Sequence, residues 1–265
     1  MRADETVKKM SKILYKYLDV KGAAMMLHYH NLMFTNATKL NDPMDCHQDL
    51  IDFTHVPENQ CYGWPPELIA EVKANPYLRT RETAYLCSLS KVHNSAQMWA
   101  YYTSNAGVCI GVDIEKVRKY YSRMQGSLLI GCYEYDVNYV DIHEKPDYFK
   151  TSIDTFYYQL TAKDKQWAHE QEVRIICFDP SPKNKVLLPG QNDKKGPIDW
   201  KEVHAFLEIG SECFDSMYLG IHMNKKERKR IIEIARISNP EMKIYQMKLD
   251  SRSLSLKEEL VSFDL

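Results

Sequence analysis

Eight short runs of β-forming residues, spread unevenly among helical patterns, constrain the fold of this 265-residue chain more than any other feature. ILYKY (13–17), NLMFT (31–35), AYLCSLS (84–90) and GVCIGVDI (107–114) read as strands. So do SLLIGCYEY (127–135), EVRIICF (172–178), SMYLGI (216–221) and KIYQMKL (243–249). PPELIAEVKA (65–74) opens with proline at a helix start, and SAQMWAYYTSNA (95–106) begins with a capping Ser95. The pattern from about 148 to 170 reads as the longest helix, and NKKERKRIIEIARI (224–237) opens on a capping Asn224. No Gly-rich strand-to-helix turn is present, which disfavours a Rossmann or P-loop nucleotide site. The irregular mixture predicts an α+β fold, with a mostly antiparallel or split central sheet flanked by helices.

The chain has no repeat and no low-complexity segment. Residues 179–200 concentrate Pro, Gly, Asn and Lys, and they are expected to form a long surface hairpin or loop. Too few residues follow for a second core, so a single domain over 1–265 is expected. Lys and Arg total 35 against 36 Asp and Glu, a net charge of −1. That balance argues against a protein held to nucleic acid by counterion release. No run approaches the roughly 18 apolar residues of a membrane span. The charged opening M-R-A-D-E-T-V-K-K lacks the apolar stretch of a signal peptide. Seven cysteines, with no Cys-x-x-Cys, include several in apolar strand-like runs, where a free thiol behaves as a small hydrophobe. A reduced cytoplasmic protein without membrane contact is the expectation.

The most informative chemistry lies in Trp167-Ala-His-Glu170-Gln-Glu172-Val-Arg174. A strand starting near Glu170 places Glu170, Glu172 and Arg174 on one face by period-2 alternation. Two carboxylates one pleat apart repel, which raises one pKa, while the guanidinium keeps the other ionised. Such a pair divides labour between binding a sugar or cation and accepting a proton. The plain alternative is a solvated strand face carrying a Glu–Arg salt bridge. In Tyr85-Leu-Cys87-Ser88-Leu-Ser90 the two serines share a face and can donate to a ribose, or simply close a strand. In Leu14-Tyr15-Lys16-Tyr17, Lys16 is placed to clamp a phosphate while Tyr15 or Tyr17 stacks on a base. An amphipathic strand with core tyrosines accounts for the same residues.

Asn41-Asp42-Pro43-Met44-Asp45-Cys46-His47 is strong turn chemistry and reads as a rigid loop. Its acids, thiol and imidazole match no ligand spacing, so no metal is expected. The Trp99, Tyr101 and Tyr102 helix reads as core, and the basic run Lys225 to Arg230 as a solvated helix face, with a phosphate-rich partner as the other reading.

Seven motifs in order resemble a bacterial family catalogued as domain of unknown function 2971. They are L-Y-K-Y at Leu14–Tyr17, N-D-P-x-D at Asn41–Asp45 and a looser C-x-S at Cys87–Ser90. M-W-x-x-Y at Met98–Tyr102 and G-V-x-x-G-x-D at Gly107–Asp113 follow. W-x-x-E-x-E-x-R at Trp167–Arg174 and Y-L-G at Tyr218–Gly220 complete the set. Where that family's first strand continues with arginine, this chain has Leu18.

A second resemblance, to ADP-ribosyltransferase-like folds, rests on the order of a basic residue, Ser-x-Ser and Glu-x-Glu. It implies NAD as substrate, with transfer to a protein or nucleic-acid acceptor or hydrolysis, in a bacterial toxin or phage-defence effector. By position, Glu172 would steady the ribosyl cation and Glu170 would orient the acceptor. Lys16, Tyr17, Ser88, Ser90 and Arg174 would contact the nucleotide. Two alternatives stay open: a non-catalytic nucleotide- or partner-binding module, and a metal-dependent hydrolase or nuclease using Asp42, Asp45, His47, Glu170 and Glu172.

Overall fold

The computed structural model describes residues 13–55, 65–67, 70, 78–125, 132–179 and 198–261. In chain order the strands begin with β1 (Ile13–Leu18), β2 (Asn31–Asn36), β3 (Ala84–Ser90), β4 (Val108–Asp113) and β5 (Cys132–Asp136). Next come β6 (Asn138–Val140), β7 (Ala162–Asp164), β8 (Glu172–Phe178) and β9 (Ile198–Trp200). The last four are β10 (His204–Glu208), β11 (Phe214–Leu219), β12 (Lys243–Asp250) and β13 (Ser255–Leu260). The α-helices are α1 (Val20–Tyr29), α2 (Leu78–Thr83), α3 (Ala96–Thr103), α4 (Ile114–Gln125), α5 (Thr155–Thr161) and α6 (Lys225–Ser238). This is a mixed α+β protein whose strands pair largely antiparallel.

The chain contacts group into two compact units. The first holds residues 1–30, 89–129 and 209–265, and the second holds 31–88 and 130–208. In the first, β1 pairs antiparallel with β4, Tyr17 opposite Cys109, and β4 pairs antiparallel with β11. β11 and β12 run parallel, joined through α6 as a crossover connection requires. Tyr17, Met98, Trp99, Cys109, Tyr218 and Met247 form its aromatic core. Ser95 and Asn224 cap α3 and α6 as expected, accepting from Met98 N and Glu227 N.

In the second unit β2 pairs with β3 and β10, and β8 pairs with β3 and β5. Ala37, Cys46, Ala84, Leu86, Leu160 and Ile176 pack in its core. The expected helix over 148–170 is not formed. Asp147 accepts from Phe149 N, Asp154 caps α5, and Asp164 accepts from Gln166 N at the start of a 3-10 turn over Lys165–Glu170. Three aspartates that bind their own backbone divide the segment into short pieces. Cys132 and Cys177, opposite each other on β5 and β8, form a disulfide, which corrects the reading of Cys177 as a free thiol, whereas Cys87 and Cys109 are free and buried as expected. Much of 65–74, 127–131 and most of 179–200 lie outside the described residues.

Candidate functional site

The second unit gathers three carboxylates, Asp45, Glu170 and Glu172, around Lys163 and Arg174. β8 starts at Glu172, not at Glu170 as alternation suggested. Glu170 ends the 3-10 turn, and Gln171 then takes a left-handed φ of 44°. The kink brings Glu170 to Lys163 by a different route from Glu172. Lys163, on β7, places Nζ 2.5 Å from Glu170 Oε2 and 3.0 Å from Glu172 Oε2. Its ammonium also lies 5.3 Å from the Trp167 ring centre, within cation–π range.

Arg174 donates from Nε to Glu172 Oε1 at 2.9 Å and from Nη1 to the Leu160 carbonyl at 2.8 Å. Its Nη2 donates to Asp45 Oδ2 at 2.6 Å, reaching back to the Asn-Asp-Pro turn. The turn itself is set by Asp42, which accepts from Met44 N at 2.9 Å. The Glu172 N–H donates to the Tyr139 hydroxyl at 2.7 Å, fixing the strand start. Gln159 Nε2 donates to the Cys46 carbonyl at 3.0 Å, from a fully buried side chain.

None of these charges sits on a solvated face. Lys163 is 8% exposed, Glu170 3%, Glu172 4% and Arg174 0%. The expectation of a partly exposed Glu–Arg pair is therefore corrected: the strand carrying it is packed on both faces, and its charges are neutralised by neighbours. Burial pushes the Glu172 carboxyl up. The charges of Arg174 and Lys163, with hydrogen bonds from Arg174 and Ser88, outweigh it and hold the group well below the usual carboxylate range. Burial lowers Lys163, but Glu172 and Glu170 raise it further, so it stays an ammonium. Burial also drives the Cys46 thiol up, which disfavours its thiolate, and pushes the Tyr139 phenol up to about 12.

The structure thus brings together Ser88, Glu170, Glu172 and Arg174 from the expected set, and adds Asp45 and Lys163. Asp45 was legible as a turn residue and as a member of the metal-dependent alternative, not as a partner of Arg174. Lys163 carried no signal that separates it from Lys165, which pairs with Asp141 on the surface. Of the remaining expected residues, Lys16, Tyr17 and Ser90 belong to the first unit. Tyr17 packs edge-on against Trp99 at 5.4 Å and donates to the Val92 carbonyl at 3.0 Å. Tyr15 sits against His93 and Tyr218. Ser90, 1% exposed, accepts from Val92 N at 3.2 Å, and Lys16 lies opposite Ile110 on β1. His47 accepts from Asp49 N through Nδ1 at 3.1 Å. Among the described residues no group of three or more His, Cys, Asp or Glu is arranged to hold a metal ion. No helix among them is long and apolar enough to cross a membrane.

Residues 98–175 match the model of a family described as a protein of unknown function (DUF2971). The matched stretch holds the segments Met98–Tyr102, Gly107–Asp113 and Trp167–Arg174. No curated protein and no solved structure matches the chain.

Proposed function

We propose that this protein is an ADP-ribosyltransferase-like enzyme that cleaves the nicotinamide glycosidic bond of NAD, with Glu172 as the carboxylate that steadies the ribosyl cation. The observation that supports the reading is the setting of Glu172, held ionised by Arg174 and Lys163 and hydrogen-bonded to Ser88. A serine strand beside a glutamate strand is the juxtaposition the motif order anticipates. In this reaction the bond from C1′ to the nicotinamide nitrogen breaks, and nicotinamide leaves as a neutral base. The ribose is left with positive charge, which a fixed carboxylate stabilises. Water or an acceptor nucleophile then bonds to C1′ and gives up its proton, a step assigned to the neighbourhood of Glu170.

A second reading, a nucleotide- or partner-binding module without turnover, is favoured by one observation. Glu170 and Glu172 are almost wholly buried and engaged by cations of the same chain. Nicotinamide release from NAD, measured for wild type and Glu172→Gln below both melting midpoints, separates the two. The enzyme reading expects release that falls about 10²–10³-fold in the variant. Saturable NAD binding with no release from either protein supports the module. Neither binding nor release removes NAD from the account.

A further inference from the structure

We propose that the groove between α1 and α6, in the first unit, binds a small amphipathic anion: an apolar body carrying one carboxylate or phosphate head. The groove encloses about 480 Å³, inside the roughly 300–1,000 Å³ range of small-molecule sites. Its walls are two helical stripes. α1 turns Ala23, Met26 and Leu27 into the core, and its next stripe, Val20, Ala24 and Met25, lines the groove. From α6 come Ile231 and Ile234, one turn apart. At the end of the α1 stripe Met25 is 49% and Tyr29 59% exposed. Large apolar side chains left half in water around an apolar floor mark a surface that gains by being covered.

Charge decides what covers it. Lys21 from α1 and Arg230 from α6 both line the groove, both exposed, and neither makes a hydrogen bond or ion pair among the described residues. The one carboxylate in the lining, Glu227, accepts from Asn224 Nδ2 at 2.5 Å at its own helix cap and keeps its charge, so the lining carries two cations against one carboxylate. Two unspent cations, one from each wall, select an anionic head, and charge-assisted hydrogen bonds hold it. The apolar body then lies over the half-buried Val20, Ala24 and Ile234. The volume suits such a molecule.

The test is calorimetric titration of the full chain with decanoate below its micellar range, with decanol as the uncharged comparator. The account expects saturable one-to-one binding of decanoate and binding of decanol at least tenfold weaker. Lys21→Ala with Arg230→Ala should weaken decanoate about tenfold or more, one lost charge-assisted contact being worth that much. Ala24→Trp fills the groove and should abolish binding. Met25→Glu, at a half-exposed position that spares the core, should do the same by repelling the head. Circular dichroism melts check that each variant is folded. Absence of saturable binding, equal affinity for decanol, or affinity unchanged in the folded variants overturns the proposal. A dimer that Met25→Glu dissociates would overturn it too, assigning the groove to a second copy of the chain.

Discussion

Arg174 Nη2 lies 2.6 Å from Asp45 Oδ2, tying strand β8 to a turn 129 residues earlier in the chain. Both side chains are buried, at 1% and 7% exposure, so neither charge has water to fall back on. Removing one partner strands the others. Arg174→Ala is expected to cost about 3–5 kcal/mol, as for other broken buried pairs. Asp45→Asn keeps the shape and one acceptor, and should cost less, about 1–3 kcal/mol. Urea unfolding of the three proteins measures the difference, and a loss under about 1 kcal/mol for Arg174→Ala would contradict the burial described here.

Gly107 and Gly210 respond differently to a methyl group. A Cβ at Gly107 falls against the Leu18 carbonyl oxygen and 2.9 Å from Thr103 Cβ, positions fixed by backbone and helix. At Gly210 it meets only the far end of the exposed Glu212 side chain, which can swing away. Gly107→Ala should therefore destabilise by about 1–3 kcal/mol. Gly210→Ala should leave stability unchanged or raise it by up to about 1 kcal/mol. Thermal melts of the two variants check the order.

The Cys132–Cys177 disulfide closes a separation of 45 residues between paired strands. Replacing both cysteines with alanine should lower stability by about 2–4 kcal/mol under non-reducing conditions. Alkylation of the unfolded wild type should label two more cysteines after reduction than before. An equal count with and without reductant would show two free thiols there.

Much of the fold was legible because strand alternation and helix caps are local. Residues 13–17, 31–35, 84–90 and 172–178 read as strands and are strands, and Ser95 and Asn224 cap helices. What escaped was set by tertiary context. Glu170 and Glu172 do meet at one ammonium, but through a left-handed Gln171 that no alternation rule contains. Asp45 enters from a turn remote in sequence, Lys163 from β7 only seven residues before Glu170, and α1 was hidden by Gly22, which weakens a helical pattern. The polar stretch 148–170 looked helical because its aspartates sit where caps and helix surfaces share composition.

The central claim is that Glu172 stays ionised inside the protein. Its ordinary value is 4.5, and the folded value lies well below that. As pH falls below about 4.5 the unfolded chain takes up this proton and the folded chain does not. The stability Glu172 contributes is therefore full above that pH and is lost as pH falls toward the folded value. Glu172→Gln should flatten that acid limb. The most direct measurement is a carbon-13 NMR titration of the glutamate side-chain carboxyls, with the Glu172 signal assigned by its absence in Glu172→Gln. The account predicts a Glu172 shift that stays at the ionised position down to pH 4 while exposed glutamates titrate. A Glu172 midpoint at or above 4.5 would contradict it.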